Sequence, residues 1–298
     1  MGFELWGATY APHVTQPERL FGLLLMAFYG LMFAIIIVKR RRDFVELNGR
    51  QWLITLVLAL SAFVLAQLFL ISRSSAGQLP PLSSAQNPAV TVAPFGFVPI
   101  LLAAAILNPV ATLFVGLAGG LSTALWQTHQ LGTPFQVAFA GILAAVLLRQ
   151  NYSGRLYTWL RQPIVAGLFA ALLFIPLIGF STFGYASASA SDLEALDLAL
   201  STTNAYLLPM LLAGILGGVI VTLLFVGIPQ LKEDRPQVPS PLSQSINTRL
   251  LWTFLFFAAP LSFLLFLFGF NIAVGIATNL AVEQMARDAQ AASTTIPA

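Results

Sequence analysis

The chain has 298 residues, of which 58% are apolar and only 8% are charged. The apolar residues fall in long uninterrupted runs, which excludes a water-soluble globular domain. There is no cysteine, which excludes disulfides and thiolate ligands for a metal or haem. The net charge is +3, and the basic residues lie between the apolar runs. We therefore expect these basic residues to interact with the lipid bilayer and not with nucleic acid.

Membrane-spanning helices are the first elements that the sequence predicts. A bilayer core needs about 20 apolar residues for each helix that crosses it. Runs near this length predict an all-α fold, a polytopic integral membrane helical bundle with about seven or eight transmembrane helices. Two runs are short, so we expect short or broken helices near 94–149, packed inside protein rather than against lipid. The predicted spans are 20–38, 52–71, 94–107, 109–126, 134–149, 163–184, 205–230 and 249–279.

The positions of the basic residues predict the orientation. Lysine and arginine are retained in short cytoplasmic loops. With eight spans and the N-terminus outside, most basic residues fall in inner loops, which predicts a multi-pass plasma (inner) membrane protein with both termini outside. The inner loops then hold Lys39, Arg40, Arg41, Arg42, Arg50, Arg149, Arg155, Arg161, Lys232, Arg235 and Arg249, and the outer segments hold Arg19, Arg73 and Arg287.

Segments outside the spans divide the chain. Residues 72–93 are rich in Ser, Pro and Ala and are predicted to form an outer loop. A capping serine at Ser191, followed by acids and spaced apolar residues, predicts a short amphipathic helix on the outer face. Three prolines predict a linker at 232–248. The expected domains are a polytopic bundle at 1–231, a cytoplasmic linker at 232–248 and a long single helix with an outward amphipathic extension at 249–298.

Glycines in the fourth and seventh predicted spans are candidate helix-packing positions. The motif "VGLAGGL" in the fourth span has a counterpart of the same length, "AGILGGV", 98 residues later in the seventh. Small residues at such spacings let membrane helices approach closely. The predicted packing residues are Gly116, Gly119, Gly120, Gly214, Gly217 and Gly218.

A candidate ligand site lies around the same fourth span. The pair Asn108-Pro109 interrupts the spans, and broken helices beside polar groups often line a cavity. The side chains that could bind a small polar ligand from outside are Asn108, Trp126, His129, Gln130 and Gln136. In the alternative interpretation Trp126 is an interfacial aromatic residue, and the glutamines and histidine belong to an ordinary loop in water.

Several chemical functions lack the residues that they need. No acidic or basic residue lies in the middle of a predicted span, which disfavours ion-coupled transport. His13 and His129 are the only histidines, too few for a metal site, and no hydrolase or nucleotide-binding motif is present. We therefore predict no enzyme activity, no catalytic residues, no metal and no cofactor.

The block from about residue 95 to 150 resembles a known family. Its sequence "NPVATLFVGLAGGLSTALWQTHQLGTPFQVAFAGILAAVLLR" is similar to the five-span membrane module of LytS-type bacterial sensors. The resemblance implies a module that senses envelope state or small extracellular metabolites ahead of cytoplasmic signalling domains. A basic residue that the family carries in the turn after the Gly-rich helix is absent here.

The last predicted helix resembles the first signalling helix of many bacterial receptors. It has an arginine just inside, Pro260 within the span and an amphipathic continuation outward. In such receptors this helix leads into an extracellular domain, so we expect the native chain to continue beyond Ala298.

The favoured hypothesis is a membrane sensory or signal-transduction module, the N-terminal membrane part of a bacterial receptor. One alternative is an accessory structural subunit of a larger membrane complex. Another is a small-solute transporter or its binding subunit. Each hypothesis allows a homodimer or a larger membrane assembly.

Overall fold

The computed structural model describes residues 2–7, 11–74 and 89–231, and in the last segment the isolated helical positions 262, 265, 269, 272, 276 and 284. The described chain is mostly helical, as predicted. Its helices are α1 (Leu20–Lys39), α2 (Arg41–Val45), α3 (Gly49–Leu65), α4 (Phe97–Ile106), α5 (Pro109–Thr123), α6 (Thr133–Arg149), α7 (Arg155–Leu160), α8 (Pro163–Tyr185) and α9 (Asp192–Gly227), with a π-helical segment at Ala124–Thr128 and a 3₁₀ turn at Pro229–Leu231.

Four helices are long and apolar enough to cross a membrane: α1, α5 with its π-helical extension, α8 and α9. The apolar helices α3, α4 and α6 have 10 to 17 residues. The third predicted span corresponds to the 10-residue α4, about 15 Å long. This helix contacts α3, α5, α6, α8 and α9 and lies at the centre of the bundle. Its short length is tolerated because surrounding protein, rather than lipid, covers its ends.

The bundle has two chemically different ends. At one end, which we call the sheet end, the starts of α1 and α9 meet through an ion pair between Arg19 and Asp192. At the other, the basic end, the amide of Asn108 before α5 donates to the carbonyl of Asp43 on α2. Eight of the ten lysines and arginines in the described ranges belong to the basic end: Lys39, Arg40, Arg41, Arg42, Arg50, Arg149, Arg155 and Arg161.

A three-stranded antiparallel sheet was not anticipated by the sequence. Its order is β1-β2-β3, with β1 at Gly2–Trp6, β2 at Leu68–Ser74 and β3 at Ala89–Val92. The predicted span 52–71 is therefore wrong over residues 66–71, because the helix ends at Leu65 and the apolar run continues into β2. Residues 72–74 and 89–92 of the predicted outer loop are also strand. Residues 75–88 lie outside the described ranges.

The predicted short amphipathic helix is not a separate element. It forms the first turns of α9, a continuous 36-residue helix that is about 54 Å long. The cap itself is confirmed: the Ser191 hydroxyl accepts from the Glu194 amide at 3.2 Å, and the Glu194 carboxylate accepts from the Ser191 amide at 2.8 Å. Pro209 lies inside the helix without ending it.

The predicted packing glycines lie at three kinds of helix contact. A Cβ built on Gly116 or Gly120 would lie 2.7 or 2.6 Å from backbone atoms of α6. A Cβ on Gly214 or Gly218 would meet α8 backbone at 2.4 Å. Gly119 and Gly217 instead face side chains, those of Ala62 and Ile100 in the first case and Phe97 and Leu101 in the second. The predicted linker at 232–248 lies outside the described residues, as does most of the segment 249–298, for which a long helix was predicted.

Candidate functional site

Asn108 does not lie with the other predicted site residues. It is the N-cap of α5 at the basic end, where its Oδ1 accepts from the Ala111 amide at 2.9 Å. The 15 residues of α5, about 22 Å long, separate it from the π-helical segment. The Asn-Pro pair therefore begins a helix, with Pro109 at the position where a missing amide hydrogen costs nothing, and it lines no site with the other four residues.

Trp126 and its neighbour hold the end of α5 against α3. The indole of Trp126 packs edge-to-face on Phe63, with ring centroids 5.8 Å apart. Gln127 donates its amide to the carbonyl of Ala66 at 2.5 Å. A short π-helical segment turns these side chains toward α3, which is a recurrent use of such segments. Trp126 is thus half-buried against protein.

His129 contacts the N-terminal strap, as we call residues 11–19. It adopts a left-handed conformation with φ 55°, and its ring stacks on His13 with centroids 3.7 Å apart. Its Nδ1 donates to the His13 carbonyl at 3.2 Å, and its own carbonyl accepts from the Thr15 amide at 2.8 Å. Partial burial lowers the pKa of His129 from its ordinary value of 6.5. The hydrogen bond to the His13 carbonyl acts in the opposite direction and is the smaller effect.

Gln130 and Gln136 belong to a buried group between α1, α6 and α8 near the sheet end. We call this group the polar cluster. Gln136 is 0% exposed, and its amide donates to the Leu177 carbonyl at 3.1 Å and to the Tyr29 hydroxyl at 3.4 Å. Gln130 is 9% exposed and its amide lies 3.5 Å from the Thr182 hydroxyl. The cluster consists of Tyr29, Gln130, Gln136, Ser181, Thr182 and Tyr185.

Hydrogen bonding decides which way the two glutamine amides point. The Leu177 carbonyl can only accept, so the nitrogen of Gln136 must face it. Thr182 donates its own hydrogen to the Ile178 carbonyl at 2.9 Å and is left as an acceptor for Gln130. Both amide nitrogens are thereby used, and both amide oxygens are directed away from these bonds.

Several buried atoms of the cluster have no protein partner. They are Oε1 of Gln130, Oε1 of Gln136 and Oγ of Ser181. The Tyr185 hydroxyl is buried beside the backbone of Leu131 and Gly132 without a hydrogen bond of ordinary geometry. Buried polar groups are nearly always hydrogen-bonded to protein, water or ligand. The cluster can therefore bind a small polar molecule.

Gly132 lies where the walls of the cluster meet. A Cβ at this position would lie 3.2 Å from Oγ of Ser181, 3.3 Å from Sδ of Met26 and 3.4 Å from the Tyr29 ring. A side chain here would therefore crowd residues of α1 and α8, and glycine avoids these contacts.

An arginine clamp closes the sheet end beside this cluster. Arg19 forms a 2.6 Å ion pair with Asp192 and donates to the carbonyls of Ser187, Ala190 and Ser191. Its guanidinium also lies 5.3 Å from the Phe183 ring centroid. The clamp joins the start of α1 to the turn between α8 and α9.

A pocket lies apart from the polar cluster, between β3 and the helices α4, α5, α8 and α9. Its volume is about 40 Å³, and Phe97, Ile100, Phe174 and Met210 are among its mainly apolar lining residues. An apolar cavity of this kind stays dry. It is therefore a weaker candidate for a polar ligand than the cluster.

Sequence reasoning missed Tyr29, Ser181, Thr182 and Tyr185. The segment "GFSTFGY" at residues 179–185 carries three polar residues near the end of an apolar span. Ser181, Thr182 and Tyr185 share a helical face by their spacing, which was a usable signal. Nothing in the sequence places Tyr29 of α1 opposite them.

Among the residues that the structure describes, no group of three or more His, Asp or Glu side chains could hold a metal ion. Comparisons with protein-family models, curated proteins and solved structures found no match to this chain.

Proposed function

We propose that this chain is a membrane sensory module that receives a signal at the sheet end and passes a helix movement to the basic end. The observation that carries the proposal is the continuity of α9. This helix runs without a break from the Arg19 clamp at Asp192 to Gly227 at the opposite end. A continuous helix of about 54 Å links the two ends, so a displacement at one end can be passed to the other.

Close packing against α8 supports this transmission. A Cβ at Gly167 would lie 2.2 Å from the carbonyl oxygen of Gly214, and one at Gly218 would lie 2.4 Å from Cα of Ile164. Backbones in such contact have few ways to slide independently, because packed interfaces prefer discrete arrangements. A change at the turn between α8 and α9 therefore moves both helices together.

The proposal includes a bacterial inner membrane and seven or eight spans. Seven helices alternate in direction along the chain, which supports seven passes before the predicted last helix. They are α1, α3, α4, α5, α6, α8 and α9. The concentration of basic residues at one end supports a cytoplasmic basic end and an N-terminus outside. An external C-terminus follows in this proposal if residues 249–279 form the eighth span.

The experiment tests the coupling between the two ends without a ligand. The absence of cysteine allows clean spin labelling at Val38 and Val226, which are 66% and 73% exposed near the basic end. Pulsed electron resonance in nanodiscs then compares the parent with Arg19→Gln. We expect the label separation to shift by about 1–2 Å or its distribution to broaden, because the ion pair that joins α1 to α9 is lost.

The matched control is Arg73→Gln, which removes a positive charge from β2 at the same end without touching the clamp. It should leave the distances unchanged. Identical distributions in the parent and in Arg19→Gln would contradict a transmitting role and favour an accessory structural subunit.

A further inference from the structure

We propose that the polar cluster binds a small uncharged solute rich in hydrogen-bond donors, of the urea or polyol type, and that α1 moves to admit it. This inference rests on the proposed function, since it names the chemistry of the signal.

The donor requirement follows from the two glutamines. Their nitrogens donate to Leu177, Tyr29 and Thr182, whereas neither amide oxygen has a protein partner in the described ranges. Amide oxygens accept and cannot donate. A ligand that satisfies both oxygens must therefore carry at least two donor hydrogens, and the hydroxyls of Ser181 and Tyr185 can serve either its donors or its acceptors.

The absence of charge in the cluster excludes an ionic ligand. Among the described residues, the members of the cluster are amides and hydroxyls only, with no carboxylate, ammonium or guanidinium. The terminal nitrogens of the Arg19 clamp already donate to Asp192 and three carbonyls, and only its Nε has no partner in the described part of the chain. An ion buried here would lose its hydration without gaining a counter-charge, which is costly.

The size of the site limits the ligand to a few heavy atoms. Ser181, Met26 and Tyr29 all come within 3.4 Å of the Cβ position of Gly132. The unpaired atoms of the cluster are also hidden from solvent. A solute can therefore enter only when one wall moves outward.

The wall that moves most easily is α1. Only Gly22 and Tyr29 of this helix are buried. Of the 18-residue apolar stretch of α1, 11% is buried inside the protein. The buried share of the corresponding stretch is 50% in α8 and 56% in α5 with its extension. Separating α1 exposes the least packed surface, so its displacement is the least costly opening.

The test uses a fluorine label on α1 in nanodiscs. Leu24→Cys places a trifluoromethyl probe on an exposed position of this helix, and no other cysteine reacts. Urea and glycerol are titrated as donor-rich solutes. Tetramethylurea, which has no donor hydrogen, and guanidinium, which is charged, serve as the matched negative solutes. We expect a saturable change of chemical shift with urea or glycerol and none with the other two.

Two variants locate the response. Ser181→Ala removes one atom that has no protein partner, and Gly132→Ala puts a methyl group into the site. Ser181→Ala should weaken the apparent affinity about tenfold, the effect of roughly one hydrogen bond. Gly132→Ala should also weaken it, because the methyl group occupies space between α1 and α8. Thr55→Val, which removes a buried hydroxyl from α3, should leave it unchanged.

No saturable shift with urea and glycerol would overturn the inference, and so would equal affinities in the parent and both variants. Saturable binding that leaves the Val38–Val226 separation unchanged would instead refute the proposed function and preserve the site. If the Val38–Val226 distance changes in Arg19→Gln but none of these solutes binds, the proposed function is preserved and the ligand class is refuted.

Discussion

The contact between α8 and α9 makes a quantitative prediction about Gly167→Ala. The new Cβ would lie 2.2 Å from the Gly214 oxygen, whereas ordinary contacts begin at 3.4 Å. The two backbones must therefore separate locally by 3.4 − 2.2, or about 1.2 Å. A backbone cannot rotate away as a side chain can, so the neighbouring packing is also loosened.

The expected cost of this substitution is about 1–3 kcal/mol of unfolding free energy, as for other overpacked cores. The matched control is Gly30→Ala in α1, where a Cβ would have no atom within 4 Å. This control should gain up to about 1 kcal/mol, since alanine is the better helix former. The unfolding free energies of the two variants should thus differ by about 1–4 kcal/mol, with Gly167→Ala the less stable.

The assay is reversible unfolding in mixed micelles with increasing sodium dodecyl sulfate, followed by circular dichroism and tryptophan fluorescence. Both variants must lose the same helical signal for their midpoints to be compared. If Gly167→Ala proves as stable as Gly30→Ala, the close approach of α8 and α9 is wrong, and the argument for joint movement of these helices is refuted.

Three further predictions concern single contacts. Asn108→Ala should cost about 1–2 kcal/mol in the same unfolding assay, because it removes the α5 cap and the bond to α2; no loss would show that the cap is dispensable. Ser122→Ala should cost about 1–2 kcal/mol, because its hydroxyl accepts from Gln67 at 2.9 Å and donates to the Phe63 carbonyl at 2.7 Å; a neutral result would contradict this network. His129 has a lowered pKa in the folded state, so the unfolded chain binds more protons below about pH 6.5. Strap docking should weaken as the pH falls from about 6.5 toward the folded pKa, measured as faster proteolysis of the strap, and His129→Gln should flatten this profile.

The sheet marks one limit of sequence reasoning. Hydropathy follows apolar content, and the run from the end of α3 into β2, residues 62–71, is apolar except for Gln67. A short apolar run fits a buried helix and a strand equally well. Strand pairing with Gly2–Trp6 and Ala89–Val92 resolves the choice, and those partners are distant in sequence.

The same limit applies to α9. A serine cap, early acids and spaced apolar residues predict a helix start at Ser191, and the helix does begin there. Its continuation through Pro209 into the next apolar segment was not predicted, because proline usually ends or kinks a helix. Packing of Tyr206 and Met210 in the core stabilises the continuous form.

The candidate site was only partly accessible from sequence. Gln130 and Gln136 were identified because they are polar residues beside an apolar span. Asn108 was grouped with them because it lies beside the same span, although it occupies the opposite end of α5. Periodicity assigns a residue to a face of its own helix, and it does not say which other helix covers that face.

By itself, the sequence determined the membrane class, the main apolar helices and the Ser191 cap of α9, because these depend on composition and on residues within one turn of each other. The tertiary structure alone decided the rest. It placed Tyr29, Gln136 and Ser181 together from three different helices. It also set the hydrogen bonds that engage the amide nitrogens of Gln130 and Gln136 and leave their oxygens without a protein partner among the described residues. Such contacts depend on helix packing between distant parts of the chain, which local spacing does not encode.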